Sequence, residues 1–172
     1  MDHLFRRSCR QFEPTAIEQD KIKAIVKAGQ FAPTGRNNQE ITFHVITDQA
    51  LLQKTVSATQ DAMSKIPEHA AMASNAITYK APLVITMTSK KEFSKWSQYD
   101  CGFAAQNMII AADLLGLGAL PIGIMKRAPQ PWEHLVGLKE DEDLLLSVAF
   151  GYPVDKLNYG NKEIRSQVIY YK

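Results

Sequence analysis

Residues 98–115 are apolar on nearly every helical face and are closed by Gly116-Leu117-Gly118, so the fold must cover most sides of one long helix. Gln106, Asn107 and Asp113 interrupt the stretch, whereas a bilayer span needs ~20 largely apolar residues. It therefore reads as a buried helix of a soluble protein. At 172 residues the chain is long enough for one core and too short for two nucleotide-binding domains, which gives a single domain over 1–172. A second subunit is one way for a domain this small to cover such a helix.

Pro82-Leu83-Val84-Ile85-Thr86-Met87-Thr88 is β-branched and almost continuously apolar, as expected of a central strand buried on both faces. Ile41-Thr42-Phe43-His44-Val45-Ile46 alternates like a half-buried strand, and Asp48 follows where an N-cap would open a helix through Leu51, Leu52 and Val56. Thr15-Ala16-Ile17-Glu18 has the capping-box pattern, with Ile22, Ile25 and Val26 on one face after it, which predicts a helix over 16–28 stopped by Gly29. Residues 60–80 lack a clear period and contain Pro67, so a mobile or loosely helical segment is expected there. Pro131 starts a short helix through Trp132 and Leu135, residues 139–143 make a solvated acidic turn, and 144–150 form another strand. The tail is polar until Val168-Ile169-Tyr170-Tyr171, an aromatic, β-branched strand with no obvious partner in its own chain.

Composition narrows the partners. The 20 basic and 18 acidic residues give a formal +2, and the basic residues are scattered apart from the N-terminal cluster, which argues against nucleic acid. Cys9 and Cys101 form no zinc or C-x-x-C spacing, and no apolar run follows the basic N-terminus, so a reducing cytoplasm is expected, without membrane or metal. His3, His44, His69 and His134 are dispersed and read as surface or packing residues. Ser8 has no His and Asp arrangement to make a hydrolase triad, and Cys101 reads as a small buried hydrophobe.

Two stretches bear on function. Arg6-Arg7-Ser8-Cys9-Arg10 concentrates cationic donors with a hydroxyl, which suits a phosphate. If residues 4–12 are helical, Arg6 and Arg10 share a face and Arg7 points elsewhere; alone, the cluster favours a solvated basic helix over phosphate binding. Ala32-Pro33-Thr34-Gly35-Arg36-Asn37-Asn38-Gln39 is a polar helix-to-strand loop that either holds a ligand or supplies turn residues for conformational reasons.

The ordered set resembles the nitroreductase family of FMN-dependent oxidoreductases. It comprises the R-R-S-x-R opening, the Ala-Pro-Thr-Gly-x-Asn-x-Gln loop, Ala81-Pro82 before a strand, the 100–118 helix, a Leu120-Pro121-Ile122-Gly123 turn and Gly151-Tyr152-Pro153. The resemblance implies an α+β, nitroreductase-like fold: a central, mostly antiparallel sheet flanked by helices, its C-terminal strand exchanged in a homodimer with two FMN sites at the interface. By position, Arg6, Arg7 and Ser8 match phosphate and ribityl contacts, and Arg10 a cation near the flavin's pyrimidine edge. Pro33, Thr34, Gly35 and Asn38 would approach the same flavin from the partner, and Pro121, Ile122 and Gly123 would lie along the ring near N5. Lys162 matches a basic phosphate contact of the tail, with Arg165 as the alternative. Glu40-Ile41-Thr42 stands where the family often has Pro-Trp.

No dinucleotide fingerprint or P-loop is present, so NADH or NADPH would stack directly on the flavin and give way to the acceptor, a ping-pong scheme. Flavin N5 carries that chemistry and no catalytic side chain is required. The implied activity is NAD(P)H-dependent reduction of nitroaromatics, quinones or related electron-poor acceptors. The rivals are a non-enzymatic flavin-binding protein for storage or redox sensing, and a flavin enzyme of different chemistry, either oxygen-dependent flavin breakdown or dehydrogenation of a peptide-derived ring.

Overall fold

The computed structural model describes residues 2–155 and 162–171. Leu83–Lys90 forms β2, and its first seven residues are buried, as the apolar run requires. It pairs antiparallel with β1 (Thr42–Ile46) on one side and with β4 (Glu142–Gly151) on the other, and β3 (Gly118–Ile122) pairs antiparallel with β4. The sheet order is β1-β2-β4-β3, so β2 is central as expected.

Alternation along the strands feeds two cores. Leu83, Ile85 and Met87 join Ile22 and Ile25 of α1 (Gln19–Gln30) and Ala104, Met108 and Ala112 of α3 (Ser94–Leu114) on one face. Val84 and Ala149 join Leu52 and Val56 of α2 (Gln49–Ser64) and Trp132 of α4 (Gln130–Val136) on the other. The antiparallel sheet thus lies between two helical layers, the α+β arrangement expected.

Local chemistry sets most element ends. Asp48 accepts a hydrogen bond from the Leu51 N–H at 3.0 Å and caps α2. Gly116 takes φ 76° just past α3, and the Leu117 N–H reaches the Ala112 carbonyl at 2.9 Å, the Schellman closure that a Cβ would strain. α3 begins at Ser94, four residues earlier than the apolar pattern indicated.

Other expectations change. The capping box does not form: α1 starts at Gln19, and Glu18 makes no side-chain cap. Its carboxylate instead accepts the Tyr152 hydroxyl at 2.5 Å and pairs with Lys21 at 3.4 Å, so a long-range partner outcompetes the local one. Residues 4–12 are not a helix beyond a short 3-10 turn at Asp2–Phe5. Residues 60–80 contain the end of α2 and a 3-10 turn at Ala70–Met72. The Leu120-Pro121-Ile122 run is the end of edge strand β3 instead of a turn, and an edge tolerates proline's missing donor. Residues 168–171 form no strand, because a strand needs a ladder and the chain offers them none here. Residues 156–161 of the polar tail lie outside the described part.

Candidate functional site

The arginine segment owes its position to backbone contacts with the sheet. The Arg6 guanidinium donates to the Ala119 carbonyl at 2.8 Å and to the Arg7 carbonyl, and the Cys9 N–H donates to the same Ala119 oxygen at 3.1 Å. Further along, the Glu13 N–H reaches the Tyr152 carbonyl at 2.8 Å and Phe12 bridges Pro153. The segment therefore runs extended across the start of β3 and the end of β4. Arg7 and Arg10 are exposed while Arg6, Ser8 and Cys9 are half-buried. This placement depends on Gly118, where a Cβ would stand 2.6 Å from the Cys9 Cβ.

Ala119 precedes Pro121 by two residues, roughly 7 Å along a strand. The structure thus brings the cationic segment beside Pro121, Ile122 and Gly123 on one sheet edge. Pro121 and Gly123 are exposed, and a Cβ at Gly123 would meet open space, whereas the Ile122 side chain is buried in the α2/α4 core. Ile122 therefore has only its backbone to offer a ligand. A strip with guanidinium groups and a hydroxyl at one end and exposed backbone at the other has the donor chemistry for a phosphate joined to a flat heteroaromatic ring.

The loop 33–39 sits elsewhere. Its Gly35 N–H donates to Asp100 Oδ2 of α3 at 2.8 Å, and the Gln39 N–H donates to Thr34 Oγ1 at 3.0 Å. Arg36, Asn37 and Gln39 all take left-handed φ values of 54°, 57° and 52°, conformations that non-glycine residues hold when surrounding contacts fix them. Pro33 and Asn38 are exposed and Thr34 and Gly35 half-buried. A small cavity of about 110 Å³ adjoins the loop, lined by residues including Thr34, Gln39, Phe43 and Ala104.

The two groups grip α3 at opposite ends. The N-terminal segment holds it through His3 Nδ1 and Asp113 Oδ2 at 2.6 Å, the loop through Asp100, and these positions are roughly 20 Å apart along a helix. Lys162 and Arg165 are exposed on the tail, where Arg165 pairs with Glu163 at 2.7 Å. The described contacts bring neither of them to Arg6.

Sequence reasoning missed two residues here. Asp100 holds the loop, and its only signal was an acid inside a largely apolar helix. Glu40 follows the loop with both carboxyl oxygens buried and without a hydrogen-bond partner. Burial, and then the neighbouring Asp100, push its pKa above the ordinary carboxylate value. Elsewhere, burial keeps His44 below the usual histidine value as it contacts Thr88 Oγ1 at 3.0 Å, a packing role. Cys101 is pushed up to about 12 by burial, as befits an inert core thiol, and both cysteines are free. No group of His, Cys, Asp and Glu among the described residues is arranged to hold a metal, and none of their helices is long and apolar enough to cross a membrane.

An α+β sheet with a cationic strip on one edge defines the class, and comparison with known proteins supplies the family. Residues 4–152 match the nitroreductase family, and the chain belongs to it. An Archaeoglobus fulgidus protein named as an NADH dehydrogenase/NAD(P)H nitroreductase is 30% identical over 156 residues, covering 90% of this chain and 84% of its own. The FMN reductase [NAD(P)H] of Bacillus subtilis is 25% identical over 158 residues, covering 87% of this chain and 64% of its own. Among solved structures, a nitroreductase of Bacteroides fragilis crystallised with FMN superimposes with a TM-score of 0.83 at 22% identity, covering 97% of this chain and 94% of that one.

Proposed function

We propose that this chain is an FMN-dependent oxidoreductase that draws electrons from NADH or NADPH and passes them to a small electron-poor acceptor such as a nitroaromatic or quinone. The observation that carries this reading is the pinning of Arg6 and Cys9 to Ala119, which sets the cationic segment beside Pro121 and Gly123. Arg6, Arg7 and Ser8 would hold the flavin phosphate and ribityl chain, and Arg10 would place a fixed positive charge at the pyrimidine edge. Pro121 has no N–H, so the backbone amides offered along the ring are those of Ile122 and Gly123. Because Glu163 already engages Arg165, Lys162 is the better candidate for a tail contact to the phosphate. When bound, FMN supplies hydride acceptance and donation at N5. The chain's own task is to bind, orient and shield it, with donor and acceptor taking turns at one opening.

The working unit is a homodimer. Within one chain the loop 33–38 holds α3 at Asp100, whereas the turn that leads into the arginine segment holds it at Asp113 through His3, so a two-fold mate would bring Pro33, Thr34, Gly35 and Asn38 to the flavin held by Arg6. The exposed face of α3 supports this. Trp96, Tyr99, Phe103 and Leu114 are 53%, 64%, 51% and 62% exposed and lie with half-buried Ile110 on one helical stripe. The tail residues Val168, Ile169, Tyr170 and Tyr171 are likewise exposed, and β1, the edge strand opposite β3, has no strand neighbour on its outer side within the sheet. A cytoplasmic setting agrees with the two free thiols.

Steady-state oxidation of NADH and NADPH, with and without a quinone or nitroaromatic, tests the activity. Fast acceptor-dependent turnover is expected. Bound flavin that reduces sluggishly whatever acceptor is added would make the protein a flavin binder instead.

A further inference from the structure

Asp113 stands one residue before the end of α3, and its side chain is only 1% exposed. That is a poor place for an acid, because burial strips a carboxylate of its hydration and the negative end of the helix dipole lies beside it. Its Oδ2 nevertheless meets Nδ1 of His3 at 2.6 Å, across 110 residues of sequence. A buried ion pair returns little net stability, and fixing a geometry is its best-attested use. The geometry at stake is that of the chain's first residues, since a terminus frays unless something ties it down.

The pair belongs to a clamp across one turn. Between α3 and β3 the Gly116 N–H closes on the Asp113 carbonyl at 3.0 Å and the Leu117 N–H on that of Ala112 at 2.9 Å, which holds Asp113 and Ala119 in a set relation. The N-terminal segment is fastened on both sides of this turn: His3 to Asp113 before it, then Arg6 and Cys9 to the Ala119 carbonyl after it. An arginine side chain reaches one carbonyl from many backbone directions, whereas an imidazole on two torsions holds its backbone more closely. We infer that His3 and Asp113 are positioning residues for the phosphate end of the flavin site: their contact fixes the turn Asp2–Phe5 on α3 and so sets the path along which Arg6, Arg7 and Ser8 present their donors.

This inference rests on the proposed flavin site, and its test separates the two. Amide hydrogen exchange is followed in the flavin-free full chain for the wild type, His3→Ala and His3→Asn, and FMN dissociation constants are measured for each. Asparagine carries its amide nitrogen near the place of Nδ1 and keeps the donor. In His3→Ala the Cys9 N–H, bonded to Ala119, is expected to exchange several-fold faster, while the Glu13 N–H, bonded to the Tyr152 carbonyl, exchanges as in the wild type. FMN binding is expected to weaken several-fold, and His3→Asn to recover most of both losses. Adding Asp113→Asn to His3→Ala is expected to weaken FMN binding no further than the larger single effect, as for two residues acting through one contact. The assignment is overturned by unchanged Cys9 exchange or unchanged FMN affinity in His3→Ala, by faster exchange at Cys9 and Glu13 alike, by additive losses, or by no recovery in His3→Asn. If none of the proteins binds FMN, the functional reading fails, and exchange at Cys9 still decides whether His3 fixes the segment.

Discussion

At the scale of single residues, the Arg6 guanidinium ties the N-terminal segment to Ala119, and in the proposed site it would also offer charge toward a phosphate. Arg6→Ala, or Lys162→Ala on the tail, is expected to weaken FMN binding by about ten- to a hundredfold, equivalent to roughly 1.5–3 kcal/mol for a charge-assisted contact. Titration with FMN, alongside circular dichroism to verify folding, checks this; unchanged constants in both variants would reject the assignments. Gly118→Ala reaches the same site without touching a charge. Its Cβ would collide with that of Cys9, so the arginine segment must lift from β3. A loss of about 1–3 kcal/mol in stability is expected from such overpacking, together with weaker FMN binding, and thermal melts and titration report the two. Asp100 and Glu40 show what a sequence leaves hidden at this scale. The Gly35 to Asp100 bond joins positions 65 residues apart, and no local pattern announces a contact that the fold creates.

At the scale of elements, legibility followed periodicity. β2 was readable because a strand buried on both faces must be apolar almost throughout, and α3 because its apolar length and its glycine stop are both local signals. The N-terminal segment was not, since its extended path is imposed by Ala119, Tyr152 and Pro153 and a run rich in arginine has no period. The Leu120-Pro121-Ile122 run read as a turn because proline and glycine dominate turns, yet an edge strand accepts the same residues. His44 on β1 gives an acid-stability prediction. Burial holds its pKa below the usual value, so its contribution is complete above pH ~6.5 and is lost as pH falls below that point. Denaturant midpoints for the wild type and His44→Asn are expected to diverge on the neutral side and converge on the acidic side. Parallel curves would deny His44 that role.

At the scale of the whole molecule, the proposed dimer would cover the exposed stripe on α3 and the exposed tail and would join the two separated halves of the candidate site. Phe103→Lys puts a charge on the centre of the stripe and is expected to cost about 2 kcal/mol or more of association energy, as for a central aromatic anchor. Light scattering should then show folded monomers that bind FMN poorly. Deleting residues 160–172 is expected to lower dimer population and FMN affinity together, and a truncated monomer that binds FMN as tightly as the full chain would place the site within one subunit. The most direct measurement is an absorbance spectrum of freshly purified protein with an FMN titration. A flavin spectrum at about one FMN per chain, bleached by NADH or NADPH and restored by a quinone, is the expected result; colourless protein that takes up no added FMN would contradict it.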